Sequence, residues 1–408
     1  MTIVFYILAA ALIFLSFKSF RGGIIYLNYF KLELSKPRSA YTPLVTVIAP
    51  CKGLDGGLME NLAVLLKQDY PNYEVIFVVD DEADEAVAAI KAVSGRAAAG
   101  AKQTRLVTAP KATDSSQKVQ NLREAVQYVS EKSKAVVFVD SDARPNENWL
   151  RNLVAPLQDE KIGAATGYRW FFSTIPTFAS EILSIWNASI ASALGPNIKT
   201  NFCWGGSMAI RRDIFEKLDI REKWGGTLSD DFVVTQAMNE ANLAIYFVPQ
   251  ALTASIENCN STGLLEFTTR QMKIARVYAS KLWLMSLFGS GLFSLVLGWS
   301  LFIMIFTRNN DLIMWAAIST LMLVSFFSIG KSGLRIKAAK LVFQEHKEDL
   351  NRQFWTHSML WLLVPPLFFY NSVMALLSQK MTWRGITYKM ISRNKTQVLR
   401  TDAKQPRF

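Results

Sequence analysis

The stretch that decides the fold is Ala135-Val136-Val137-Phe138-Val139-Asp140-Ser141-Asp142, five apolar residues followed by two carboxylates one residue apart. A short, β-branched apolar run closed by polar residues reads as a strand buried on both faces. Leu44 to Ala49, ended by Pro50, has the same character, as does Glu74 to Val79, ended by Asp80-Asp81, and Leu106-Val107 suggests a third strand between these and the Asp140 run. Met59 to Lys67 has helical spacing. Strands alternating with helices imply βαβ units and an α/β domain with a mainly parallel sheet. Such sheets bind ligands at the carboxyl ends of their strands, where these acidic residues gather.

The whole chain is more apolar than a soluble domain of its length. It has 408 residues, 50% of them hydrophobic, and a net charge of +12. The three cysteines, Cys51, Cys203 and Cys259, match no metal-ligand spacing and no disulfide framework, which suits a reducing compartment. Both histidines, His346 and His357, fall late in the chain, so acid–base work is expected from carboxylates. The basic residues cluster beside apolar runs, Lys18, Arg21, Lys31, Lys36 and Arg38 after the first and Lys331, Arg335, Lys337 and Lys340 after the third. That is a membrane-topology pattern and argues against nucleic acid as a partner.

Residues 1–34 read as an uncleaved transmembrane anchor, since no basic stretch precedes the apolar run and positive charges follow it. By the positive-inside tendency the next domain, 42–260, is cytoplasmic. An amphipathic interface helix is expected over 261–281, then membrane helices over 282–379 and a basic tail over 380–408. The apolar runs are Leu282–Phe306, Leu312–Ile329 and Phe354–Leu377. Four crossings would leave the basic tail outside. Pro365-Pro366 breaks the last run, and a re-entrant hairpin there would return the tail to the cytoplasm. Ile175 to Lys199, with apolar positions at helical spacing, is expected to lie on the membrane surface and to help choose the acceptor.

Several residues carry chemistry. Asp140 and Asp142 suit a divalent cation held against a diphosphate, as hard cations of the Mg²⁺ type use one or two carboxylates plus substrate phosphates; an acidic loop or helix cap is the bland alternative. Asp81, at a strand end, can accept a hydrogen bond from a base or ribose. Asp230-Asp231 either favour the positive end of a following helix or supply a general base for an attacking hydroxyl. Arg270, Lys273 and Arg276 are spaced by three on a helix and could face a diphosphate or anionic lipid. Lys118 and Asn121 share a helical face. Trp204-Gly205-Gly206-Ser207 is a small-residue loop that lets backbone approach a sugar.

Together these segments resemble the ceramide glucosyltransferase family, a membrane branch of the inverting glycosyltransferases of the family 2/21 type. The resemblance rests on Pro50-Cys51-Lys52-Gly53-Leu54-Asp55, Glu60-Asn61-Leu62, Asp69-Tyr70-Pro71-Asn72-Tyr73-Glu74, Lys118-Val119-Gln120-Asn121-Leu122 and the tail motif Trp383-Arg384-Gly385 with Tyr388. It implies a GT-A fold, a nucleotide-sugar donor of UDP type, a lipid acceptor and Mg²⁺ or Mn²⁺ on Asp140 and Asp142. It further implies donor contacts from Pro50, Lys52, Asp81, Lys118, Asp140, Arg270, Lys273 and Arg276. Trp204, Gly205, Gly206 and Asp230 would face the acceptor and sugar, and Asp231 would be the catalytic base. Two positions depart from the family pattern. Its (Q/R)xxRW reads Arg270-Gln271-Met272-Lys273-Ile274 here, and its proline before the KxxNL lysine is Gln117. The competing readings are transfer to a polyprenyl phosphate and a non-catalytic scaffold of the same fold.

Overall fold

The computed structural model describes residues 2–54, 56–95, 101, 103–307 and 311–401; Asp55 of the opening motif and the end of the basic tail lie outside them. A long helix α1 (Thr2–Leu34) leads into alternating elements: β1 (Val45–Pro50), α2 (Leu58–Leu65), β2 (Tyr73–Val79), α3 (Glu85–Ser94), β3 (Gln103–Thr108), α4 (Gln117–Ala125) and β4 (Ala135–Val139). There follow β5 (Ala143–Arg144), α5 (Trp149–Val154), β6 (Ile162–Thr166), β7 (Arg169–Phe172), α6 (Phe178–Ala191), β8 (Ser207–Arg211), α7 (Arg212–Lys217), α8 (Ile220–Lys223), α9 (Asp230–Glu240), β9 (Ala244–Phe247) and β10 (Thr253–Ile256).

The central sheet has the order β3-β2-β1-β4-β8-β6-β9. Strands β3, β2, β1 and β4 are mutually parallel. Strand β8 runs antiparallel to both β4 and β6, and β9 returns parallel to β6. Core residues pack on both faces of this sheet, which is why β1, β2 and β4 are continuously apolar rather than alternating. A small second sheet, β5-β10-β7, lies beside it. The mainly parallel α/β domain expected from the strand–helix alternation is present.

The C-terminal half contains α10 (Ser261–Tyr278), α11 (Ser280–Phe306), α12 (Asp311–Val342), α13 (Lys347–Leu360) and α14 (Val364–Leu377). Four segments are long and apolar enough to cross a membrane: α1, α11, α12 and Gln344–Leu377. The last does not run as one rod. It begins on the α/β domain, where Gln353 accepts from Trp170 Nε1 at 2.8 Å and donates to the Phe171 carbonyl at 2.8 Å. It ends against α10 and the start of α11, where Asn371 accepts from Thr269 Oγ1 at 2.9 Å and the Ser372 carbonyl accepts from Trp283 Nε1 at 3.1 Å. The turn is a 3₁₀ stretch, Trp361–Leu363, just before Pro365-Pro366. Proline is tolerated in the first turn of α14, where an N–H has no intrahelical partner. The Trp361 ring meets Phe293, midway along α11, at 5.8 Å. The segment thus descends about half the length of α11 and comes back.

Helix α6 departs from expectation. It is not a helix with one apolar face laid on a surface, because it is buried nearly all round, including Glu181, Ser184 and Asn187. The α13–α14 hairpin covers the face that would otherwise meet lipid. Its polar groups find partners across that junction: Glu181 accepts from Thr356 Oγ1 at 2.5 Å and pairs with Arg352 at 3.3 Å.

The chain after 379 is also more than a basic tail. Strands β11 (Lys380–Trp383), β12 (Ile386–Ser392) and β13 (Lys395–Thr401) form an antiparallel sheet. Met381, Ile386, Tyr388 and Met390 bury against one face of the α/β domain. The two-residue loop Arg384-Gly385 has φ of 47° and 77°, the positive pair that a type I′ hairpin requires. A β-branched side chain at the second position opposes that backbone. Gly385→Val is therefore expected to cost about 1–3 kcal/mol, read as a lower melting temperature of the detergent-solubilised protein, while Gly56→Ala, which meets no neighbouring atom, leaves it unchanged.

Candidate active site

At the carboxyl end of β4 the Lys118 ammonium sits between two carboxylates, 2.8 Å from Asp140 Oδ1 and 3.2 Å from Asp230 Oδ1. Ser116 places it: its side chain caps α4 by accepting from Val119 N, so Lys118 projects from the first turn toward the end of β4. Gln117, at the family's proline position, explains itself here. Its N–H donates to Tyr388 Oη at 3.2 Å and its side chain bonds Ala112 N, the Pro110 carbonyl and Asn121. A proline could make none of these bonds.

The charges interact strongly because they are largely withdrawn from water, Asp230 buried and Lys118 and Asp140 partly so. Burial alone would raise Asp140, but Lys118 outweighs it and, with Arg169 and Arg384, holds the carboxyl below its ordinary range. Burial pushes Asp230 up; Lys118 pulls it back, and Asp231 and Asp140 add to the push. Burial would lower Lys118, yet Asp140, Asp230 and Asp231 keep it firmly protonated. Asp231 differs from its neighbour. Asp230 is 3% exposed, whereas Asp231 is half-buried and accepts from Phe232 N at 2.8 Å, Ser229 Oγ at 2.5 Å and Gly205 N at 3.3 Å.

Gly205 and Gly206 have a reason that sequence reading placed elsewhere. A Cβ on Gly205 would lie 2.1 Å from Asp230 Oδ2 and 2.9 Å from Lys118 Nζ; one on Gly206 would strike the Trp204 ring at 2.2 Å and Asp140 Oδ2 at 2.8 Å. These glycines let the loop close on the protein's own charged cluster. Trp204 packs on Tyr168 at 5.4 Å, and Arg169 lies over its ring at 5.4 Å.

At the ends of β1 and β2, Lys52 Nζ pairs with Asp80 Oδ2 at 2.6 Å. Asp80 is buried and Asp81 is exposed, with Lys111 3.4 Å from each. The turn after β2 thus directs Asp80 inward, a residue the sequence reading passed over in favour of Asp81. A bond to Ala83 N and the Lys111 ammonium hold the Asp81 carboxyl below its ordinary range. Pro50 closes β1 opposite Val78.

The basic trio on α10 separates. Arg270 is enclosed near Arg169 and Arg384, stacks over Phe267 at 5.2 Å and Trp383 at 5.7 Å, and is pushed down to about 10 by burial and then by those two guanidiniums. Lys273 instead donates to the Lys380 carbonyl at 2.6 Å, and Arg276 to the Ala375 and Leu376 carbonyls at 2.7 and 3.1 Å, capping the end of α14. Neither is brought to the Asp140 cluster. Ile274, where the family has tryptophan, is a core residue under the C-terminal sheet. Two other arginines complete the basic wall. Arg169 lies 4.0 Å from Asp142 and stacks over Phe171 and Phe267. Arg384 donates to the Lys52 carbonyl at 2.9 Å. Arg169 was missed; its only sequence signal is a lone arginine in an aromatic strand, Tyr168-Arg169-Trp170-Phe171.

The domain thus gathers aspartates at its strand ends and faces them with arginines. The chain matches the family model for glycosyl transferase family 21 over residues 4–396. It belongs to that family and is a glycosyltransferase, with an α/β domain built on a mainly parallel sheet. Among solved structures it is similar to a mannosyltransferase from Pyrobaculum calidifontis in complex with GDP-Man and Mn²⁺, at 17% identity over 91% of this chain and 99% of that one, with a TM-score of 0.46. It is also similar to glucosyl-3-phosphoglycerate synthase from Mycobacterium tuberculosis in complex with phosphoglyceric acid, at 16% identity over 59% and 85%, with a TM-score of 0.37.

Removing the shared ammonium would leave Asp230 buried without its cation and Asp140 with only the Arg169 and Arg384 charges nearby. Lys118→Met is expected to lose about 3–5 kcal/mol of stability, measured by thermal unfolding. Gly205→Ala, which drives a methyl into Asp230 and Lys118, is expected to abolish transfer even where the protein still folds.

Proposed function

We propose that the protein transfers a hexosyl group from a nucleotide-sugar donor of UDP type to a hydroxyl of a membrane lipid, with inversion, at the cytoplasmic face. The observation that carries this is the contrast between Asp230 and Asp231. Asp230 is consumed by Lys118, whereas Asp231, at the start of α9, is half-buried and held by neutral hydrogen-bond donors. Asp231 is the general base: it takes the proton of the acceptor hydroxyl as that oxygen bonds to the anomeric carbon and the bond to the diphosphate breaks. A single displacement turns an α-linked donor into a β-linked product.

Arg270, with Arg169 and Arg384, faces the leaving diphosphate. Its basicity is lowered first by burial and then by the neighbouring Arg169 and Arg384, a concentration of positive charge suited to a dianion. The nucleoside lies over the ends of β1 and β2, between Pro50, Lys52 and Asp81. Asp140 and Asp142 fit a hard cation, Mg²⁺ or Mn²⁺. Asp140, kept ionised beside Lys118, and Asp142 would hold the ion together with the donor's phosphates. When bound, the ion supplies charge neutralisation on the leaving diphosphate. A lipid acceptor is supported by the apolar helices beside the site: the hairpin's Asn371 is hydrogen-bonded to α10, which carries Arg270. The basic residues at the domain end of α1 and α12 support a cytoplasmic orientation.

Detergent-solubilised protein given total lipid, Mn²⁺ and labelled nucleotide sugars in turn is expected to place label in the organic phase with one UDP-sugar. Asp231→Asn should lower that rate by at least about hundredfold, and a chelator should remove it reversibly. A product of retained configuration overturns the mechanism. No label with any donor and any lipid overturns the function.

A further inference from the structure

A second basic site lies away from the aspartates, at the junction of α1, α6, α12 and α13. Arg335 on α12 is 5% exposed, yet among the described residues it pairs with no carboxylate; one nitrogen donates to Ser189 Oγ at 2.9 Å and its Nε has no partner. It lies within electrostatic reach of Tyr26 on α1, His357 on α13 and Lys331, one helical turn earlier on the same face of α12. The junction holds no carboxylate paired with Arg335 among the described residues, yet it is rich in unmet polar atoms. The Tyr26 hydroxyl, Ser332 Oγ and His357 Nδ1 are also buried without partners, while His357 Nε2 meets Ser184 Oγ at 3.2 Å. The nearby carboxylate, Glu181, is engaged by Arg352 and Thr356.

Membrane topology alone does not account for this. A topogenic arginine points outward into the headgroups, whereas Arg335 points inward and an unpaired buried guanidinium is costly. Its depth identifies what is missing. Asp311 to Gly330 is about 20 residues, roughly 30 Å of helix, the thickness of the hydrocarbon layer. Lys331 therefore stands at the headgroup plane on the domain side, half-exposed, reaching Ser19 at 2.9 Å, and Arg335 is one turn behind it. The groups at that level that carry a negative charge and several acceptor oxygens are lipid phosphates.

We infer that Lys331 and Arg335, with Ser332, Tyr26 and His357, form a site for the phosphate of one anionic membrane phospholipid, bound at the rim where α1 and α12 enter the domain and distinct from the diphosphate wall around Arg270. The lipid's phosphate oxygens accept from the two cations and the tyrosine and serine hydroxyls, and its chains run down the α1–α12 surface. Bound there, it joins the anchor helix to the α6–α13 junction and stabilises the whole chain.

The test uses full-length protein extracted from bilayers of equal phosphatidylglycerol and phosphatidylcholine and examined by native mass spectrometry. Wild type is expected to retain one phosphatidylglycerol per chain, with retention falling roughly fivefold for each cation removed in Lys331→Gln and Arg335→Gln. Melting of the wild type alone, which needs no variant to fold, is expected to rise with phosphatidylglycerol and not with phosphatidylcholine. Equal retention of the two lipids, or undiminished retention in the double variant, overturns the site. Stabilisation by inorganic phosphate equal to that by phosphatidylglycerol overturns the lipid as its occupant.

Discussion

One partly buried lysine organises the catalytic end of this molecule. Lys118 lies between Asp140 and Asp230, and Asp231 is close enough to help hold its proton. Each of these ions is costly to bury by itself, by several kcal/mol after relaxation. Their arrangement is tolerable only when all are present and close. That demand reaches into four separate segments: the cap of α4, the end of β4, the loop before β8 and the first turn of α9. It explains why Gly205 and Gly206 carry no side chains, since the space a Cβ needs is taken by the aspartates, the ammonium and the Trp204 ring. It also frees Asp231, because the lysine spends its ion-pair contacts on the other two carboxylates.

The strands were legible in the sequence because they are buried on both faces, so β1, β2 and β4 read as unbroken apolar runs, and strand-end carboxylates stood out against them. Side-chain direction was not legible in the same way. Asp80 and Asp81 are equivalent in a string; only the turn after β2 sends one to Lys52 and the other to solvent. The trio Arg270, Lys273 and Arg276 looked like one face. Each step of three residues turns the helix by about 60° short of a full circle, so the first and third point some 120° apart. One meets the arginine wall and the other caps α14. The three-stranded tail carried a signal, the alternation of Met381, Ile386, Tyr388 and Met390, hidden among lysines and threonines.

Departures from the family pattern have local explanations. Where a tryptophan is expected, Ile274 fills the core beneath the C-terminal sheet. Where an arginine is expected, Lys273 ties α10 to β11 through the Lys380 carbonyl. Where a proline is expected, Gln117 needs its N–H for Tyr388. All three bind the C-terminal sheet to the domain. These residues hold that sheet, whose hairpin loop delivers Arg384 to the end of β1.

That delivery couples the membrane part to the chemistry. Arg270 is sandwiched between Phe267 of its own helix and Trp383 of the hairpin. The hairpin follows directly from α14, whose last turn is fastened by Arg276 and whose middle is held by Trp283 and Asn371. The basic wall is therefore assembled from three stretches far apart in the chain, β7, α10 and the C-terminal sheet, and the last two are fixed in register by the re-entering segment. A site of this construction depends on that segment holding α10 and the C-terminal sheet together.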